Sequence, residues 1–134
     1  MNMERNQGIQ FLSREEIRAY QEKRMAEALD YVSKNSPFYS KLFSDNHIDI
    51  SKIRTLDDLS CIPVTTKPDL QSRNQDFVCV PPSEIVDYPT TSGTLGDPVT
   101  FAETESDLEH LAYNEFLSFS TAGCTRDDII QLMV

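Results

Sequence analysis

No run in this chain approaches the eighteen or so apolar residues that a membrane-spanning helix requires. The opening residues, Met1-Asn2-Met3-Glu4-Arg5-Asn6, are polar and lack the apolar core of a signal peptide. No membrane partner is therefore expected, and the expected compartment is the cytoplasm. Cysteine is scarce. Cys61, Cys79 and Cys124 are odd in number and far apart, a spacing that fits neither a zinc site nor a disulfide framework. They read as buried or half-buried thiols. The two histidines, His47 and His110, lack metal-like partner spacing, so no metal site is assigned. Positive charge is also short: 12 Lys and Arg stand against 22 Asp and Glu, a formal net charge of −10. That balance opposes general attraction to nucleic acid or to an anionic membrane surface. It leaves room for a local anion site, because backbone amides and helix ends supply field without formal charge. There are no repeats and no low-complexity runs. A hydrophobic fraction of 39% with four glycines is a globular composition, and 134 residues suit one domain of ordinary size.

What is present begins with helix signals. Ser13-Arg14-Glu15-Glu16 is a capping box, with Leu12 and Ile17 at the staple positions. Ile17, Tyr20, Arg24, Ala28, Tyr31 and Val32 form a helical stripe, with Met25 and Leu29 beside it. Asn35 and Pro37 end that helix. A short helical turn follows over 38–43, its aromatics Phe38, Tyr39 and Phe43 read as packing residues. Residues 45–58 are polar and irregular, anchored by Ile48, Ile50 and Ile53. Thr55-Leu56-Asp57-Asp58 and Thr66-Lys67-Pro68-Asp69 each carry a Thr-x-x-Asp cap signal for a short helix. Phe77-Val78-Cys79-Val80 is a candidate strand, ended by Pro81-Pro82. Thr104-Glu105-Ser106-Asp107 caps a further helix whose face holds Leu108, Leu111, Ala112, Phe116 and Phe119, with Gly123 at the C′ position. Residues 129–134 read as a continuous apolar strand, the kind buried in a parallel sheet. The chain stops inside it, so a fragment or a truncated gene model is expected.

Between two apolar runs, Ile85-Val86-Asp87-Tyr88 and Val99-Thr100-Phe101, lies Thr90-Thr91-Ser92-Gly93-Thr94-Leu95-Gly96-Asp97-Pro98. Four hydroxyl side chains and two glycines fall within seven residues of it. Such a loop can turn amides and hydroxyls inward on one anion, with glycine permitting close backbone approach, and a phosphate chain is the natural guest. It is not a Walker A loop: only Thr94 and Leu95 separate the glycines, and Asp97 follows them. Taken by itself it reads equally well as a polar hairpin turn.

The wider chain resembles the N-terminal part of phenylacetate–CoA ligase-like proteins of the adenylate-forming superfamily. Their loop has the form Ser-Ser-Gly-Thr-Thr-Gly-Lys-Pro; here it reads Thr91-Ser92-Gly93-Thr94-Leu95-Gly96-Asp97-Pro98. Leu12-Ser13-Arg14-Glu15-Glu16-Ile17 and Gln21-Glu22-Lys23-Arg24 are similar to the family's opening helix. Asn35-Ser36-Pro37-Phe38-Tyr39 is similar to its Pro-Phe-Tyr turn. Leu56-Asp57-Asp58-Leu59 and Ile62-Pro63-Val64-Thr65-Thr66-Lys67-Pro68-Asp69-Leu70 follow in the family's order and spacing.

The resemblance implies an α/β fold: an N-terminal helical segment over 1–76, then, over 77–134, the incomplete start of the large mixed α/β domain. It implies an ATP-dependent carboxylate–CoA ligase, which forms an acyl-adenylate and then a thioester. Thr91, Ser92, Gly93, Thr94, Leu95 and Gly96 would hold the β- and γ-phosphates, with Thr91, Ser92 and Thr94 as hydroxyl donors. For the full-length parent it implies ATP, Mg2+ and coenzyme A, an acid substrate that the family name suggests is aryl, and room for a homodimer. No residue here is assigned a catalytic role, because the adenine, magnesium and lysine motifs lie downstream in the family; this chain alone is expected to be inactive. Asp97 departs from the family's Lys. Its carboxylate points to solvent, or acts through a cation, or marks a divergent member with altered nucleotide use. Lys67 is either a cation near the acyl or nucleotide end of the site or a solvated residue at a helix start. Asp57, Asp58, Asp127 and Asp128 read as solvated caps and turns, and His110 as a surface residue. Two rivals stand beside the ligase reading: a non-catalytic nucleotide-binding module, which Asp97 favours, and a helical interaction domain in which the loop is only a turn.

Overall fold

The computed structural model describes residues 9–92 and 98–131. The chain divides into two compact units, Met1–Cys79 and Val80–Val134. The fold class is the expected one, a helical segment followed by the start of a mixed α/β unit.

In the first unit, α1 (Arg14–Asn35) starts at the expected capping box. The Ser13 N–H donates to the Glu16 carboxylate at 2.8 Å, and the Glu16 N–H donates to Ser13 Oγ at 3.2 Å. The helix ends at Ser36, which also begins α2 (Pro37–Asp45). The Ser36 N–H donates to the Val32 carbonyl, closing α1. Its hydroxyl accepts the Tyr39 N–H at 3.3 Å, opening α2, and donates to the Asp76 carbonyl at 2.8 Å. Every polar atom of this 1%-exposed side chain is thereby engaged. Pro37 takes the first helical position, where no N–H is needed.

The buried face of α1 differs from the expected stripe. Leu29 is the buried residue, joined by Met25 and Val32 at helical spacing, whereas Arg24, Ala28 and Tyr31 are exposed. Leu29, Phe43 and Ile53 form the core cluster, so the partners on α2 and on the 45–58 segment select which row of α1 is covered. Tyr31 reaches along the surface instead, its hydroxyl donating to the Cys79 carbonyl at 3.3 Å. Ile48, Ile50 and Ile53 are the anchors expected of them. The aromatics of α2 are packing residues: Phe38 stacks on Phe77 with centroids 4.0 Å apart, and Tyr39 meets both rings edge-on. The Thr55 and Thr66 caps are present, each with its Asp reaching back. They open a 3₁₀ turn, Leu56–Cys61, and α3 (Lys67–Ser72). The candidate strand over 77–80 is not one. Asn74–Phe77 is a 3₁₀ turn closed by the Val78 N–H on the Gln75 carbonyl, and Phe77 is committed to its stack on Phe38.

The second unit holds two short antiparallel strands, β1 (Ile85–Asp87) and β2 (Glu103–Thr104), and α4 (Glu105–Thr121). Thr104 ends β2 and caps α4, with Asp107 completing the box. Gly123, at φ +88, terminates α4 as expected. Its N–H donates to the Ser120 carbonyl and the Cys124 N–H to that of Phe119, the two bonds of a Schellman motif. The apolar face of α4 is open: Leu111 is 47%, Phe116 61% and Phe119 43% exposed. The expected terminal strand is not formed over 129–131, where Ile129 is wholly exposed. No described strand lies beside it to supply a ladder, and 132–134 fall outside the described residues.

Candidate functional site

The hydroxyl- and glycine-rich segment is held at its base by an antiparallel neck. Ile85 pairs with Thr104 and Asp87 with Glu103, with an irregularity between the two pairs. Further along, Thr90 bridges Thr100, and the Phe101 N–H donates to the Pro89 carbonyl at 2.9 Å. The last bonds join Thr91 and Val99. The Thr91 N–H donates to the Val99 carbonyl at 3.0 Å, and the Val99 N–H donates to the Thr91 hydroxyl oxygen at 3.0 Å. In a regular ladder the second acceptor would be the Thr91 carbonyl; here a side chain replaces it. Val99 is 2% exposed and is the buried hydrophobic anchor among the described residues of this unit. Thr91, Ser92 and Pro98 are exposed around it.

Of the six residues assigned to the loop, Thr91 and Ser92 are placed at its rising edge. Gly93, Thr94, Leu95 and Gly96, with the neighbouring Asp97, lie outside the described residues. Sequence reasoning missed Val99, Pro89 and Phe101 as the groups that close the neck. The cross-strand pairing of a Thr with a buried Val eight residues on has no motif to announce it.

The field around this neck is negative. The second unit carries Glu84, Asp87, Asp97, Glu103, Glu105, Asp107, Glu109, Glu115, Asp127 and Asp128 against the single cation Arg126. Nearly all of the chain's excess negative charge is therefore in the unit that holds the loop. Any phosphate bound there meets repulsion unless a cation accompanies it.

The other residues singled out from the sequence stay apart from the neck. Lys67 is exposed at the first position of α3. Asp57 pairs with Arg18 at 2.6 Å, and Asp58 caps the turn that follows Thr55. Asp128 accepts the Thr125 N–H at 2.6 Å. Asp58 and Asp128 are held below the usual carboxylate range, in each case first by a backbone hydrogen bond from the threonine. His110 is exposed. Cys79 and Cys124 are half-buried, and burial pushes the Cys79 thiol up, whereas Cys61 is exposed on its short turn. Two open grooves flank Leu29 in the first unit. The larger, of about 500 Å³, includes Glu22, Lys23 and Arg54; the other, of about 400 Å³, is lined by Met25, Val32, Tyr39 and Ile62. Among the described residues no cluster of three or more His, Cys, Asp or Glu is placed to hold a metal, and no helix is long and apolar enough to cross a membrane.

No protein-family model matches the chain. It is 34% identical over 116 residues to the phenylacetate–coenzyme A ligase of Thermus thermophilus, covering 86% of this chain and 26% of that protein. The phenylacetate–coenzyme A ligase of Escherichia coli is 30% identical over 125 residues, covering 92% of this chain and 29% of its own length. Among solved structures, an open conformation of 2-hydroxyisobutyryl-CoA ligase in complex with 2-HIB-AMP and CoA superimposes with a TM-score of 0.70 at 26% identity. The superposition covers 77% of this chain and 25% of that one. The chain thus spans about a quarter of the length of the curated relatives it matches. Over most of its length the chain is similar in sequence to phenylacetate–coenzyme A ligases and in fold to a further CoA ligase.

Proposed function

We propose that this chain forms part of an ATP-dependent carboxylate–CoA ligase, in which residues 91–96 hold the β- and γ-phosphates during acyl-adenylate formation. The observation that carries the reading is the likeness to phenylacetate–coenzyme A ligases over most of the chain. The neck supports it, because it brings Thr91 and Ser92 to the open edge of a pinned hairpin. In this reading ATP arrives as its Mg2+ complex, since the acidic second unit disfavours the bare triphosphate. The carboxylic acid, aryl by analogy with the named relatives, is activated as its adenylate, and coenzyme A then takes the acyl group. The work is cytoplasmic, where ATP and coenzyme A are supplied, and pairing into a homodimer belongs to the same proposal. The chain by itself supplies binding and no turnover.

The sequence departure at Asp97 favours a second reading, a nucleotide-binding or interaction module derived from this family. Titration calorimetry separates the readings from each other and from a bare turn. The ligase reading expects MgATP to bind the chain more tightly than ATP in EDTA, and Gly93→Val to weaken MgATP at least tenfold by blocking backbone approach. Equal MgATP affinity in wild type and Gly93→Val would leave the loop as only a turn. In a protein of full ligase length, ATP–pyrophosphate exchange with candidate acids distinguishes enzyme from module: exchange supports the ligase, whereas binding without exchange that Asp97→Lys restores supports the module.

A further inference from the structure

We propose that the larger groove of the first unit is a binding site for an amphipathic anion, an alkyl chain ended by one carboxylate. The groove runs between α1 and the 50–54 segment. Lys23, Ala26 and Asp30 fall in one row of α1. Ala26 has no side chain beyond its Cβ, so this row leaves a trough that a longer residue would fill. Leu29 and Ile53, both members of the core cluster, supply an apolar floor on which an alkyl chain loses water. The charges on the rim are unequally committed. The Glu22 carboxylate accepts Arg18 Nε at 2.9 Å and the Leu56 N–H at 3.3 Å, and Asp30 pairs with Lys34 at 2.7 Å. Asp58, which accepts the Arg54 N–H at 3.0 Å, belongs to the Thr55 cap. Lys23, by contrast, has no hydrogen-bond or ion-pair partner among the described residues. Arg54 donates Nε to the Ser51 carbonyl at 3.3 Å, which ties the guanidinium to its own segment and leaves both terminal nitrogens for an incoming carboxylate. Charge complementarity thus selects the occupant: the floor takes the alkyl chain, and the two uncommitted cations take its anionic end. The formal net charge of −10 opposes anions in general, so retention of one depends on such a local pair.

The experiment titrates octanoate, below its micelle concentration, and 1-octanol in parallel into the methyl-labelled 134-residue chain. Methyl resonances of Leu29 and Ile53 report the groove, and that of Leu111 reports the open face of α4. The site predicts that octanoate shifts Leu29 and Ile53 and binds about tenfold more tightly than octanol. A trough that was only apolar would prefer octanol, whose head group costs less to desolvate. Lys23→Gln with Arg54→Gln should lower octanoate affinity about tenfold and leave octanol unchanged, and Ala26→Leu should exclude both. Octanol binding as tightly as octanoate overturns the proposal, and this comparison on the wild-type chain decides the matter even if a variant fails to fold. Unchanged octanoate affinity in a folded double variant overturns it as well. So do shifts confined to Leu111, which would put the ligand on α4, and the absence of any shift. The test uses no nucleotide, so its outcome is independent of the phosphate-loop reading.

Discussion

At the scale of single residues, the most unusual backbone among the described residues belongs to His47. It follows the C-cap of α2 with φ at +53, a left-handed conformation that favours glycine. Its N–H donates to the Ser44 carbonyl and the Ile48 N–H to that of Phe43, a Schellman ending built without glycine. The ending persists because Ile48 packs against the core cluster that contains Phe43. The imidazole is exposed and makes no packing contribution to offset the backbone. His47→Gly should therefore stabilise the chain by about 0.5–1 kcal/mol, after allowing for the freer unfolded chain. Urea unfolding checks it; a lower midpoint in the variant would mean that the imidazole supports the turn.

At the scale of elements, helix starts were the most legible feature, because a cap is a local contract between residues three apart. Ser13 with Glu16, Thr55 with Asp58, Thr66 with Asp69 and Thr104 with Asp107 all form as spaced. Faces and strands were less legible, because tertiary partners decide them. Leu29 lies inside because Phe43 and Ile53 meet it, and Phe77 left the strand for a ring stack. The paired hydrogen bonds between Thr91 and Val99 could not be read, since nothing local links two residues eight apart. The caps also carry a pH signature. The carboxyls of Glu16, Asp58 and Asp69 are held low: Glu16 and Asp58 first by backbone N–H donors, Asp69 first by the Thr66 hydroxyl. An unfolded chain, with carboxyls near about 4, takes up protons before these caps do. Their stabilisation is present above that value and is lost as pH falls through the lower, folded values. The melting midpoint by circular dichroism should fall between pH 4 and pH 2, and Asp69→Asn should flatten that fall; a midpoint constant across the range would contradict it.

At the scale of the whole molecule, the two units are unequal. The first has its cluster of Leu29, Phe43 and Ile53, and the second buries only Val99 among its described residues. Leu111, Phe116 and Phe119 stand open on α4. The chain should therefore bind an apolar fluorescent dye without denaturant, and Leu111→Ser with Phe116→Ser should remove most of the signal. Equal fluorescence from the double variant would trace the dye to another surface. A different economy governs the joint at Ser36, where one residue is the whole connection between α1 and α2. With no slack, the rotational phase of one helix is inherited from the other. Each added or deleted residue turns a helix by about 100°. One such change here would swing Phe38 and Phe43 off the interior and carry the Asp76 carbonyl's donor out of reach. At this joint the chain's length is held as strictly as the buried hydroxyl of Ser36 itself.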